Sequence, residues 1–260
     1  MVPQEGTYYG TEDVIISRAN GRIYVFPNEC AHRQARMVEP GVRGYGDIIC
    51  PAHGWKLSIT GEAMPRLNFT VLHCGLIFEG NAPYISPLLD LHDWVYESRN
   101  KTVYQGDWRT FMEVYAETLH IPIIHKMLGS MVGDCSESEM EVWPTGMVQV
   151  VKGGVVWHVE WPYFMMEWYP GFMVISYLRE VKRDQYTNIV EYYFRKDAGE
   201  TIKAASMHFY ESTAKEDYIL CQRLEAGRRG QYPIGGPYAY PQETTLQQFH
   251  EWLKPHEANI

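Results

Sequence analysis

Apolar positions fall into two textures along the chain. Over about the first 85 residues they form short runs of strand character. Val14-Ile15-Ile16 and Ile23-Tyr24-Val25-Phe26 flank Ala19-Asn20-Gly21, a hairpin signal. Asp47-Ile48-Ile49, Trp55-Lys56-Leu57 and Leu76-Ile77-Phe78 continue the pattern, with glycines between them. Gly80-Asn81-Ala82-Pro83 reads as a boundary, which divides the chain into domains at 1–85 and 86–260. Beyond it, Trp108 to His120 carries apolar residues at 108, 111, 112, 115, 116 and 119, the spacing of a helix with one buried face. Met147 to Phe194 turns to β-branched and aromatic runs broken by Gly153-Gly154 and Pro170-Gly171. Glu216 to Glu225 predicts a second helix stopped at Gly227, and Gln242 to Leu253 a terminal one. The expected class is α+β: a small all-β domain followed by a domain of strands and helices.

Composition narrows the function. The formal charge is -9 over 260 residues, which argues against nucleic-acid binding, because phosphate contacts need a basic surface. It argues equally against docking on an anionic membrane. The most apolar stretch, Val148 to Tyr177, is interrupted by Lys152, Glu160 and Glu167, so no run reaches bilayer length. Met1 to Gly10 has neither a basic nor an apolar leader segment. Five cysteines, an odd number, fit a reducing cytoplasm in which thiols serve metals or packing. A cytoplasmic protein with neither nucleic-acid nor membrane partners is expected.

Two constellations carry the chemistry. The first is Cys30-x-His32, then 17 residues, then Cys50-x-x-His53. Two thiolates and two imidazoles bind tetrahedral zinc or a two-iron cluster. Pro51 and Gly54 make the second loop a sharp turn. The second constellation is Glu117-x-x-His120-x-x-x-x-His125. On a helix Glu117 and His120 share a face. His120 and His125 lie about 140° apart on a continuous helix, so Pro122 must break it before both reach one ion. Asp217, at the start of the Glu216–Glu225 helix, is the carboxylate that would complete a facial triad for non-haem Fe2+. The competing reading is a capping carboxylate and two ordinary histidines.

Cys30-Ala31-His32-Arg33, Cys50-Pro51-Ala52-His53-Gly54-Trp55 and Thr60-Gly61-Glu62 resemble the cluster loops of Rieske non-haem iron oxygenase α subunits, the ring-hydroxylating oxygenase family. Asp107-Trp108-Arg109, Tyr115-Ala116-Glu117, His120-Ile121-Pro122, Trp161-Pro162, Trp168-Tyr169-Pro170-Gly171 and Glu216-Asp217 with Gly227 resemble that family's catalytic domain. The resemblance runs from about Tyr8 to Leu253. It implies a helix-grip catalytic domain, an antiparallel sheet plus helices. It implies a [2Fe–2S] cluster on Cys30, His32, Cys50 and His53, and Fe2+ on His120, His125 and Asp217. Glu117 would be the bridge that carries electrons between subunits of a homotrimer. Most of the family has Asp at that place; Glu resembles the quaternary-ammonium branch, of carnitine and betaine type, although Val114 stands where that branch often has Asn.

The implied activity is use of O2, with electrons from a separate NAD(P)H-dependent reductase or ferredoxin, to hydroxylate or N-demethylate a small organic substrate, a quaternary ammonium compound among the candidates. The chain has no dinucleotide-binding fingerprint of its own. Glu113, Trp157, Trp161, Trp168 and Tyr177 are candidate substrate residues, and aromatics near Glu113 or Glu167 could hold a quaternary ammonium by cation–π contact. Alternatives are an aromatic ring-hydroxylating dioxygenase, an electron carrier without oxygenase activity and a zinc-binding structural protein. Two departures stand out. Gln34 replaces the family's usual Gly after His-Arg. The cluster domain begins at the chain's first residues, where relatives carry several tens more, as in a compact variant or a chain lacking its N-terminus.

Overall fold

A computed structural model of the chain describes residues 2–62, 64, 65, 67, 69–71, 77–79, 92–228 and 236–256. It divides into two compact units, Met1–His92 and Asp93–Ile260. The expected boundary at Gly80-Asn81-Ala82-Pro83 lies outside the described residues, as does Leu76.

The first unit is all β among its described residues. Strands β1 (Thr7–Gly10), β2 (Val14–Ala19), β3 (Arg22–Pro27) and β4 (Arg43–Tyr45) form an antiparallel sheet in the order β3-β2-β1-β4. The β2–β3 hairpin turns on Asn20 and Gly21 at φ 53° and 69°, the left-handed pair a two-residue turn demands. Two small ribbons follow: β5 (Ile48–Ile49) with β6 (Lys56–Leu57), and β7 (Phe69–Val71) with β8 (Ile77–Glu79). Cys30 and Cys50 are buried among Ile15, Phe26, Met37, Val38, Ile48 and Leu57. Buried Asn28 clamps the Cys30 loop. Its amide donates to Thr11 O at 2.8 Å and Val38 O at 2.6 Å, and its carbonyl accepts from Met37 N and Val38 N.

The second unit contains β9 (Trp94–Gln105), α1 (Trp108–Tyr115), α2 (Ile121–Ile124), α3 (Lys126–Val132), β10 (Glu139–Trp143), β11 (Gly146–Val151), β12 (Val155–Glu160), β13 (Phe164–Tyr169), β14 (Phe172–Arg179), β15 (Gln185–Arg195), α4 (Glu200–Arg228) and α5 (Thr244–Leu253). Its sheet is antiparallel throughout, in the order β10-β11-β12-β13-β14-β15-β9. One face carries Val151, Val155, Trp157, Tyr169, Val174 and Tyr192, packed against Met207, Phe209 and Tyr210 of α4. Farther along that face, Met147, Val159, Met165, Leu178 and Tyr186 pack with Trp108 and Met112 of α1 and with Phe249 and Leu253 of α5. A sheet gripping helices on one face is the helix-grip arrangement expected from the resemblance. Among the described residues no helix is long and apolar enough to cross a membrane.

Two elements depart from the sequence reading. The first helix ends at Tyr115 rather than at His120. Thr118 N turns to Gln242 O at 3.2 Å, and the Leu119 and His120 amides turn to the Glu117 carboxylate, so their donors leave the helical ladder. The helix holding Asp217 begins at Glu200 and runs through Gly227. Asp217 is therefore interior to it, and the capping reading falls. One glycine costs a helix about 1 kcal/mol. Here the end of the helix is fastened to α1: Glu225 accepts from Asp107 N at 2.8 Å, and Arg228 donates to Thr110 Oγ1 at 2.9 Å.

Candidate metal centres

The two cluster loops are the same turn used twice. Cys30 N donates to Ala35 O and Gln34 N to Cys30 O, both at 2.8 Å. Cys50 N donates to Trp55 O at 2.7 Å and Gly54 N to Cys50 O at 2.9 Å. Four residues after each cysteine the chain enters the left-handed region, at Gln34 (φ 56°) and Gly54 (φ 72°). The cysteines lie inside and His32 and His53 outside, with the two imidazole centroids 5.0 Å apart. Trp55 stacks on His32 at 5.0 Å and 4°. The Ala52 amide, chief among several causes, holds the Cys50 thiol below its ordinary pKa; burial opposes it, and the His53 amide and Cys30 add to the lowering. Backbone donors that stabilise a thiolate suit a metal ligand. Two inward sulfurs and two outward imidazoles are the donor set of a cluster with one iron on each pair.

The second centre gathers around α2. His120 precedes α2, with Pro122 in the helix's first turn, and His125 sits between α2 and α3 at φ -98°, ψ 83°. That break turns the two rings together. His120 Nε2 lies 3.1 Å from His125 Nε2 and 3.3 Å from Asp217 Oδ1, and His125 Nε2 lies 2.8 Å from the same oxygen. These three residues form a group able to hold a metal ion. Donor atoms about 3 Å apart match neighbouring positions around one ion with bonds of about 2.1 Å.

The far side of each ring is also held. His120 Nδ1 pairs with Glu117 Oε1, and His125 Nδ1 with Glu216 Oε2 at 2.8 Å. A carboxylate on Nδ1 keeps the proton there and leaves the Nε2 lone pair for a metal. Burial alone would lower the His120 pKa. Its hydrogen bonds to Asp217 and Glu117 outweigh that and raise it to about 9. His125 is raised for the same kind of reason, and Asp217 is lowered by the two rings against its own burial. Three carboxylates around two imidazoles make this a site that favours positive charge, which suits Fe2+.

The proposed substrate residues separate. Glu113 is occupied: it pairs with Arg228 and with His250 Nε2 at 3.1 Å, and Tyr238 bonds the other His250 nitrogen at 2.8 Å. Burial opposes the shift, but these partners hold its carboxyl below the usual range. Trp161 packs on Phe249 at 5.0 Å. Trp168 and Tyr177 lie on the sheet face opposite Glu167, and Tyr177 bonds Glu191 at 3.2 Å. Only Trp157 joins the face that meets Tyr210 of α4.

Several residues were not singled out from sequence. The sequence marks Glu216 only as a helix residue, although a carboxylate beside a candidate ligand is itself a signal. Glu167 stands out in the sequence only through its neighbouring aromatics. It is buried and accepts from Tyr169 at 2.6 Å and from Tyr210 at 2.7 Å. Tyr210 precedes Asp217 by seven residues, a two-turn spacing that would have paired them.

Residues 2–67 match the family described as the Rieske [2Fe-2S] domain. Residues 130–256 match the ring hydroxylating alpha subunit (catalytic domain). Putrescine 2-hydroxylase of Ralstonia nicotianae is 28% identical, across 98% of this chain and 86% of that protein. Chloroplastic choline monooxygenase of Atriplex hortensis is 22% identical, across 95% of this chain and 67% of that one. Among solved structures, the quaternary ammonium Rieske monooxygenase CntA with L-carnitine superposes with a TM-score of 0.77 at 17% identity, across 99% of this chain and 85% of that one.

Proposed function

The chain belongs to the Rieske non-haem iron oxygenases, and from that premise we propose that its substrate is a small cationic amine, which it hydroxylates or N-demethylates using O2 and electrons from a separate reductase or ferredoxin. The observation that carries the oxygenase part of the reading is the pair of histidines turned toward Asp217, each with its Nδ1 on a carboxylate. Membership supplies the cofactors, a [2Fe–2S] cluster and one Fe2+. Cys30, His32, Cys50 and His53 would hold the first, and His120, His125 and Asp217 the second. Bound there, the cluster supplies single electrons and the ferrous ion supplies O2 activation.

The protein's own groups hold and orient. Glu117 and Glu216 fix the tautomers of His120 and His125 and orient the rings. Glu117 is also the proposed bridge to a neighbouring subunit's cluster loops in a homotrimer. Exposed apolar residues support this on both sides: Leu119, Ile123 and Met127 near Glu117, and Tyr45, Ile49 and Trp55 near the cluster loops. A head-to-tail ring joins two such unlike surfaces.

The cationic nitrogen is common to the compounds named for the relatives: putrescine and choline, and carnitine for the solved structure. The test is turnover of putrescine, choline, carnitine and a neutral aromatic with a surrogate reductase, read by mass spectrometry. Oxygen gain or methyl loss confined to a cationic amine is expected. Oxidation of the aromatic alone would replace this reading with ring hydroxylation. No product from any amine, with the cluster cycling normally, would sink it.

A further inference from the structure

Among the described residues, Glu167 is a buried carboxylate with no cationic partner. It lies on β13, on the sheet face toward α4, and is 4% exposed. Its two oxygens accept from Tyr169 and Tyr210, and Trp157 Nε1 reaches the Tyr169 hydroxyl at 3.5 Å. No cation is paired with it among the ion pairs of the described residues. The Tyr115 hydroxyl is buried and, among the described residues, has no hydrogen-bond partner. It lies within electrostatic range of both Glu167 and Asp217, whose charges add to burial in raising it. A buried carboxylate offers about four acceptor sites, of which two are filled here.

The helix fixes where this cluster stands relative to the iron ligands. Tyr210 and Asp217 are seven residues apart on α4, so they share a face about 10 Å apart along the axis. One helix face therefore presents both the iron carboxylate and the tyrosine that holds Glu167.

We propose that Glu167, with Tyr169, Tyr210 and the Tyr115 hydroxyl, anchors a primary ammonium group at the end of the substrate remote from the oxidised carbon. This rests on the cationic-amine reading and narrows it. The two acceptor sites of Glu167 and the Tyr115 oxygen that are unpartnered among the described residues call for N–H donors. A primary ammonium has three of them and a quaternary ammonium none. Trp157 and Tyr169 contribute aromatic surface that either cation could use, so the hydrogen bonds make the distinction. The favoured substrate is then an unbranched amine long enough to span from Glu167 to the iron.

Burial pushes Glu167 up to about 7, with the tyrosine hydroxyls acting against it. A cation beside it favours the ionised form. Binding near neutral pH therefore expels a proton from the carboxyl into solvent.

The experiment is calorimetry of the cluster- and iron-loaded protein with putrescine and with choline at pH 7, in buffers of differing ionisation enthalpy. For putrescine, release of about half a proton is expected. Glu167→Gln should abolish the release and weaken putrescine about 10- to 100-fold, the loss of one charged hydrogen bond. Choline should bind more weakly than putrescine and lose less. Glu167→Asp should keep the preference for putrescine at an affinity between the two. If Glu167→Gln does not fold, Tyr210→Phe serves: one donor lost should raise proton release and lower putrescine affinity. Equal putrescine affinity in wild type and variants, or tighter binding of choline, overturns the assignment. The same samples are assayed for turnover. Oxidation of an amine with Glu167 indifferent leaves the oxygenase reading standing and removes this one. Glu167-dependent binding without oxidation does the reverse.

Discussion

Glu216 accepts the Nδ1 proton of His125 at 2.8 Å, while its neighbour Asp217 reaches Nε2 of the same ring, also at 2.8 Å. Adjacent helical residues point about 100° apart. His125 lies across that angle, so one imidazole spans two consecutive side chains. Its orientation is thus fixed by α4 rather than by its own short segment. Glu216→Ala should lower iron affinity about 10- to 100-fold. Chelator competition with iron counting would measure it, and the cluster's two irons should stay. Unchanged iron retention would mean that Glu216 is a surface acid only.

Glu117 does for His120 what Glu216 does for His125, and it also caps the Leu119 and His120 amides. If it is also the inter-subunit bridge, Glu117→Gln should reduce product formation about 10- to 100-fold. Reduction of the cluster by the reductase should proceed at the wild-type rate. Equal losses in both steps would point to a general folding defect instead.

His158, on β12, is fully buried, with Trp143 stacked 5.2 Å away and no hydrogen-bond partner for either nitrogen among the described residues. Burial, offset only in part by Glu141, holds it down to about 4. The unfolded chain takes up a proton near pH 6.5 that the folded chain refuses until about 4. The stability present above 6.5 is therefore lost as pH falls, about 2 kcal/mol of it by pH 5. His158→Phe should flatten that slope in urea unfolding at pH 7.5 and pH 5. An identical slope in the variant would show that another group sets the acid limit.

Gln34 occupies, in the first cluster loop, the position Gly54 holds in the second, and both are left-handed. A side chain there costs about 1–2 kcal/mol, of which glycine's extra freedom in the unfolded chain cancels about half. Gln34→Gly should raise the unfolding free energy of the cluster domain by up to about 1 kcal/mol. Cluster loss on heating, followed by absorbance, would report it. A drop in stability would show that the Gln34 side chain makes a compensating contact.

Much of this was legible from spacing. Cys30, His32, Cys50 and His53 sit on two short loops whose geometry is local, so sequence neighbours are also spatial neighbours. The strands from Met147 to Phe194 were legible because burial against helices imposes a pattern on each of them. The start of α4 was not, because its first half packs on the sheet through Met207, Phe209 and Tyr210 without a clear apolar stripe. The end of α1 was hidden too. It depends on Gln242, more than a hundred residues away, and on the Glu117 side chain folding back. Glu113 looked chemically available because nothing in the sequence announces Arg228 and His250 as its partners.

The placement of Tyr210 and Asp217 on one helix also limits how the protein can diverge. A single inserted residue between them would swing one from the other by about 100° and part the proposed anchor from the proposed iron ligand. Only changes of whole turns keep both in line. Any change of that span made by helix length alone therefore comes in steps of about 5 Å, the pitch of a helix.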